Sequence, residues 1–309
     1  MNRLLIVLLA GLCMGVNPAH AQDSLHGVME ASSPRATPLP FDSLRLVHEP
    51  QPPLNWSDFA VNLPRDVGSF ASVSVETKFI PTVAGLTVLT FGAFSADHRI
   101  SLFSRGSYRR SQTVASLSDF FVSVGDGRSP LLLAGAFGAY GFLTSDHRAL
   151  GVASQTLEAL LATGVVVQTF KHIAGRESPA ASSSARGTWR PFPSFQNYNK
   201  HQARYYSFPS GHIATTMAAV TVLAENYPEA HWLKPAGYTV TGLVGISLVN
   251  KGWHWYSDLP LGIAIGYAFG TIVSHPDGAM KPADQGDIKL SFSPVADERG
   301  NGLLVAMQF

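Results

Sequence analysis

Apolar residues gather in six blocks separated by short polar breaks: Phe79–Ala96, Leu131–Leu143, Ala149–Ile173, Gly211–Leu223, Pro235–Asn250 and Leu259–Ser274. Ala, Leu and Gly dominate them, and most are longer than strands, so the pattern predicts helices. Gly262, Gly266 and Gly270 recur at every fourth position, which leaves one face of the last helix nearly flat and open to close packing. A bilayer-spanning helix needs about 20 apolar residues. Phe79–Ala96 is uncharged but contains Pro81, Glu158 interrupts the third block, and the last two blocks are short. A membrane-embedded bundle and a compact exported bundle both fit this pattern.

The flanks differ in character. Asn2 and Arg3 precede the apolar run Leu4–Val16, and Ala19-His20-Ala21 places small residues before Gln22. That is the pattern of a secretory signal peptide over residues 1–21, with an uncleaved anchor as the alternative. Residues 22–65 are rich in Pro and Ser and are expected to form an extended lead-in. A helical domain is expected over 66–280 and a tail over 281–309. Within the tail, apolar runs flanking Asp297–Gly302 predict a hairpin. Between Pro179 and Phe208 lies a polar, aromatic stretch too long for an idle connection, as expected of a lid or a binding wall.

Composition narrows the function. Of 309 residues, 46% are hydrophobic and 14% charged, and mean hydropathy is +0.12. A highly charged disordered chain is excluded. The 22 basic and 21 acidic residues nearly cancel, which argues against nucleic acid as a partner. Cys13 is the single cysteine, so neither a disulfide framework nor a cysteine metal cluster is available. No His, Asp or Glu grouping has zinc-ligand spacing, and no metal or other cofactor is expected.

Three clusters carry candidate chemistry. Lys171 to Pro179 places Lys171 and Arg176 near the end of an apolar helix, where cations also complement the helix dipole. Pro209-Ser210-Gly211-His212 opens another helix. There Ser210 fits an N-cap and the free N–H groups attract an anion, with His212 beside it as a proton-transfer group. Ser247 to Asp258 contains His254 and Asp258. A carboxylate on one ring nitrogen fixes the tautomer and frees the other nitrogen. Ser257 can cap the following helix, whose first turn tolerates Pro260.

Together these clusters resemble the type-2 phosphatidic acid phosphatase/haloperoxidase superfamily, whose signature is Lys-x6-Arg-Pro, Pro-Ser-Gly-His and Ser-Arg-x5-His-x3-Asp. The order matches, and the resemblance covers roughly residues 125–274. It implies an all-α bundle and hydrolysis of phosphate monoesters or pyrophosphates, with lipid-linked substrates in an exported, periplasm-facing or membrane-associated setting. It further implies that His254 attacks phosphorus, Asp258 orients it and His212 serves the leaving group. Lys171, Ser210 and Gly211 would hold phosphate oxygens. Ser178 and Leu248 stand where the family places arginines. Arg176 is the expected stand-in for the first, and Lys251, Arg190 or Arg204 for the second. Arginine restored at 248 is expected to raise activity. A non-catalytic phosphate- or phospholipid-binding protein and a vanadate-dependent haloperoxidase are the competing functions.

Overall fold

The computed structural model describes residues 58–275, 289–297 and 300–308. The chain divides into two units, Met1–Pro50 and Gln51–Phe309. The first unit, and with it the signal-peptide segment and most of the lead-in, lies outside the described residues, as does the start of the tail.

The second unit begins helical earlier than expected. Helix α1 (Asp58–Val61) and the first residues of α2 (Leu63–Val75) occupy the end of the stretch read as lead-in. Pro64 falls in the first turn of α2, where its missing N–H costs nothing. Then follow α3 (Ile80–Arg110), α4 (Gln112–Gly125), α5 (Arg128–Thr144), α6 (His147–Ala174), α7 (Phe195–Lys200), α8 (Gly211–Asn226), α9 (Leu233–Lys251) and α10 (Leu259–Ser274). The hydrophobic blocks map onto α3, α5, α6, α8, α9 and α10. The second half of α3 and all of α4 were not predicted, because polar residues interrupt them and neither holds a long apolar run. A local signal existed: Ser111 caps α4, its Oγ accepting from the Val114 N–H at 3.4 Å.

Helix α6 runs through the centre. Ala162, Val166 and Val167 pack with Ala214 of α8 and Ile265, Phe269 and Ile272 of α10. A second cluster joins Val122, Ile213, Val244, Leu248, Val249 and Leu259 across α4, α8, α9 and α10. The glycine face predicted on α10 lies against α8. A Cβ on Gly262 would come within 2.6 Å of the Ser210 carbonyl oxygen, and one on Gly266 would collide with that of Ala214.

Three helices are long and apolar enough to cross a membrane by length and composition: Ile80–Arg110, His147–Ala174 and Tyr256–Ser274. On α3, Val88, Leu89 and Phe91 are exposed. At the far end, β1 (Lys289–Asp297) and β2 (Gly300–Gln308) pair antiparallel with Asp297 opposite Gly300, which is the hairpin the sequence predicts.

Candidate active site

Helix α6 stops at Gly175, whose φ of 54° suits glycine and turns the chain sharply out of the helix. Residues 176–178 then run extended. Glu177 N–H donates to Thr188 O, Ser207 N–H to Arg176 O, and Ser178 N–H to Ala203 O. This patch ties the 179–208 stretch over the end of α6. Within that stretch, Tyr198, Gln202 and Tyr206 line a cavity of about 330 Å³ together with Lys171, Gly211 and His212.

Lys171 is buried, with its Nζ 4.6 Å from the Tyr206 ring centre. A Cβ on Gly211 would stand 3.6 Å from that ammonium, so the N-terminus of α8 and the lysine lie side by side. Ser210 occupies the N-cap position of α8, yet its side chain caps nothing. Its buried Oγ has no hydrogen-bond partner among the described residues. A buried hydroxyl without a partner costs on the order of 1–3 kcal/mol, so it is a place where a ligand atom would be welcome.

The rings of His254 and His212 meet edge to face, their centres 6.1 Å apart. His254 is almost wholly buried, and its Nδ1 lies 2.7 Å from the carbonyl oxygen of Ser207. Asp258 is farther, with Oδ2 at 3.6 Å from Nδ1. The Asp258 carboxylate is itself held by the Ser207 hydroxyl at 2.6 Å, the Trp255 N–H at 2.7 Å and the Arg176 guanidinium at 2.5 Å. It sits in a 3-10 turn, Tyr256–Asp258, just ahead of α10. Burial lowers the pKa of His254, opposed by Asp258. Burial, with His254 and Lys171 nearby, pushes His212 down to about 4. Both rings are therefore neutral near pH 7.

Two sequence expectations change here. Arg176 does not face the cavity. It is fully buried, with Nη1 donating to Asp258 and to Ser257 Oγ at 2.7 Å, and Nη2 to Asp97 at 2.7 Å and to Arg186 O at 2.9 Å. Phe94, Trp189 and Trp255 box its guanidinium. It braces carboxylates with both terminal nitrogens, and only its buried Nε–H is left without a partner among the described residues. Ser257, expected to cap α10, instead donates its hydroxyl to Asp97 at 2.6 Å. Two of the three expected stand-ins for the second arginine are also engaged. Lys251 pairs with Asp119 at 2.6 Å and Arg190 with Glu177 at 3.3 Å. Arg204 is exposed on the turn that carries Gln202. Leu248 is wholly buried in the second core cluster.

The residues that sequence reasoning missed are Asp97 and Ser207. Asp97 ends the uncharged run of α3, a signal that was legible. Ser207 acts partly through its backbone carbonyl, which no side-chain pattern carries.

The model of the PAP2 superfamily matches residues 152–277, from the second turn of α6 to just past α10. This segment is similar to the PAP2 superfamily. It holds every residue of the three clusters. Lipid A 1-phosphatase of Porphyromonas gingivalis is 40% identical to this chain over 67 residues, which is 21% of this chain and 15% of that protein. The match therefore spans a small part of that relative's length. The transmembrane PAP2 type phosphatidylglycerolphosphate phosphatase from Bacillus subtilis aligns over 73% of this chain and 99% of its own, at 19% identity and a TM-score of 0.43.

Proposed function

We propose that the protein is a phosphatase that cleaves a lipid-linked phosphate ester through a phospho-histidine intermediate at His254. The observation that carries this reading is the hydrogen bond between His254 Nδ1 and the Ser207 carbonyl. A carbonyl only accepts, so the ring proton is on Nδ1 and the lone pair is on Nε2. Phosphate would rest against Lys171, the Ser210 hydroxyl and the first N–H groups of α8. His254 Nε2 forms a bond to phosphorus while the phosphorus–oxygen bond to the alcohol breaks. The electron pair stays on that oxygen, and His212 delivers the proton. Water then attacks phosphorus with His212 as base, and the phosphorus–nitrogen bond returns its pair to Nε2. A bound phosphate anion raises the basicity of His212, which its neighbours depress in the free site.

The membrane setting is part of the same reading. Exposed apolar side chains on α3 suit lipid better than water. An apolar cavity of about 490 Å³, lined by Val83, Leu86, Phe91, Phe94, Trp189 and Phe208, adjoins the same loop and suits a hydrocarbon chain. The relative's name gives lipid A phosphate as one substrate to test. The site faces the periplasm in this reading, and the chemistry uses no metal.

The test is phosphate release from a panel of lipid and soluble phosphates, with His254→Ala alongside. Turnover of at least one lipid phosphate, lost in His254→Ala, is expected. Activity should survive chelator and fall with orthovanadate. Abolition by chelator with restoration by one divalent metal would overturn the mechanism.

A further inference from the structure

Asp97 lies outside all three motif clusters, yet it is buried against the catalytic residues. It is fully buried midway along α3. Its Oδ1 accepts the Ser257 N–H at 3.0 Å, and its Oδ2 accepts the Ser257 hydroxyl at 2.6 Å and Arg176 Nη2 at 2.7 Å. The other arm of that guanidinium holds Asp258. Asp97, Arg176 and Asp258 therefore form a buried row of anion, cation, anion.

The charge count gives the row its meaning. One guanidinium between two carboxylates leaves a net charge of −1 beside His254. A single Arg176–Asp258 pair would be neutral. For folding alone the second buried carboxylate is a poor choice, since an ion must be stripped of its water and apolar packing would stabilise the site as well. For catalysis the surplus has a use. When Nε2 bonds to phosphorus, the ring keeps its Nδ1 proton and becomes cationic. In a water-poor site a matched negative charge stabilises that state far more than it would in solution.

We propose that Asp97 is a positioning residue for this reaction: it occupies one arm of Arg176, so that Asp258 is held in place without being neutralised. The inference rests on the phospho-histidine reading above. The other groups facing His254 are Lys171 from α6, His212 from α8, and Tyr206 and the Ser207 carbonyl from the 179–208 stretch. Asp97 itself meets only Arg176 and Ser257 through its carboxylate among the described residues.

The experiment compares purified full-length wild type, Asp97→Asn and Asp97→Glu in kcat, KM, the pH profile of kcat/KM and thermal melting. Asp97→Asn should lose at least tenfold in kcat with KM within about twofold. Its acidic limb should move to lower pH, because a ring deprived of negative charge protonates less readily. Asp97→Glu keeps the charge, so its acidic limb should stay at the wild-type position although kcat falls. A folded Asp97→Asn with wild-type kcat and limb overturns the proposal. So does a loss of kcat with the acidic limb unmoved in Asp97→Asn, which assigns Asp97 a purely structural role. Should Asp97→Asn fail to fold, Asp97→Glu decides: wild-type kcat overturns positioning, and reduced kcat with unchanged KM and acidic limb supports it. If the wild type releases no phosphate from any substrate, the phosphatase reading fails and takes this inference with it. Wild-type turnover with insensitive variants sinks the inference alone.

Discussion

His254 Nδ1 is 2.7 Å from the Ser207 carbonyl oxygen and 3.6 Å from the nearer Asp258 oxygen. The backbone therefore sets the tautomer, and Asp258 contributes charge. Nitrogen-15 NMR of the histidine-labelled protein near pH 7 should show His254 protonated at Nδ1 and bare at Nε2. A proton on Nε2 would remove the nucleophile and the proposed chemistry with it.

Ser207→Ala keeps that carbonyl and deletes only the hydroxyl that donates to Asp258 at 2.6 Å. The tautomer should be unchanged. One hydrogen bond to a charged group contributes about 1.5–3 kcal/mol, and roughly 1.4 kcal/mol is tenfold in rate. We expect kcat to fall about tenfold in steady-state assays, well short of the loss in His254→Ala. An unaffected kcat would mean that Trp255 N–H and Arg176 hold Asp258 without help.

Leu248→Arg should destabilise the protein. The sequence resemblance suggested a gain of activity from restoring a phosphate-binding arginine. The structure instead packs Leu248 among Val122, Ile213, Val244 and Leu259. A guanidinium there would lose its hydration and find no carboxylate, a loss of several kcal/mol. Thermal melts should show a clear drop. A folded, stable variant with raised kcat/KM would show that the side chain reaches the phosphate site after all.

Arg176→Met tests the brace. Removing the cation leaves Asp97 and Asp258 buried against each other, and breaking a buried pair costs about 3–5 kcal/mol. Melting temperature and kcat should fall together. Arg176→Lys should not rescue kcat, since an ammonium lacks the fork that spans both carboxylates.

Stability should also fall with acid. His212 titrates near 4 in the folded protein, below its unfolded value near 6.5. Between those values the unfolded chain binds more protons, so stability is complete above about pH 6.5 and declines as pH falls toward 4. The contribution is at most about 3 kcal/mol. Melts at pH 7 and pH 5 should differ, and His212→Gln should reduce that difference. An equal difference in wild type and variant would place the acid sensitivity elsewhere.

The helices bearing the apolar blocks were legible because their apolar runs are longer than strands. Helix α4 was not, since its serines and Asp119 break the apolar run although its own apolar positions favour one face. The three clusters were legible in order and spacing, and the fold gathers Lys171, Ser210, Gly211, His212, His254 and Asp258 at one end of the bundle. Arg176 misled because sequence proximity cannot say which way a side chain turns. At Gly175 the chain reverses direction and aims the guanidinium inward at Asp97, which lies 79 residues away along the chain.

The seam between α8 and α10 decides which parts of the site can move during turnover. Gly262 and Gly266 bring the two backbones into contact, and the Ser210 N–H donates to the Asp258 carbonyl at 3.0 Å. The proposed phosphate cradle at the start of α8 and the turn carrying Asp258 are thus stitched into one body. For the proposed cycle this leaves residues 179–206 as the expected moving wall, with the spacing of the two histidines expected to stay fixed. Stiffening that wall should slow release and leave the bond-breaking step untouched.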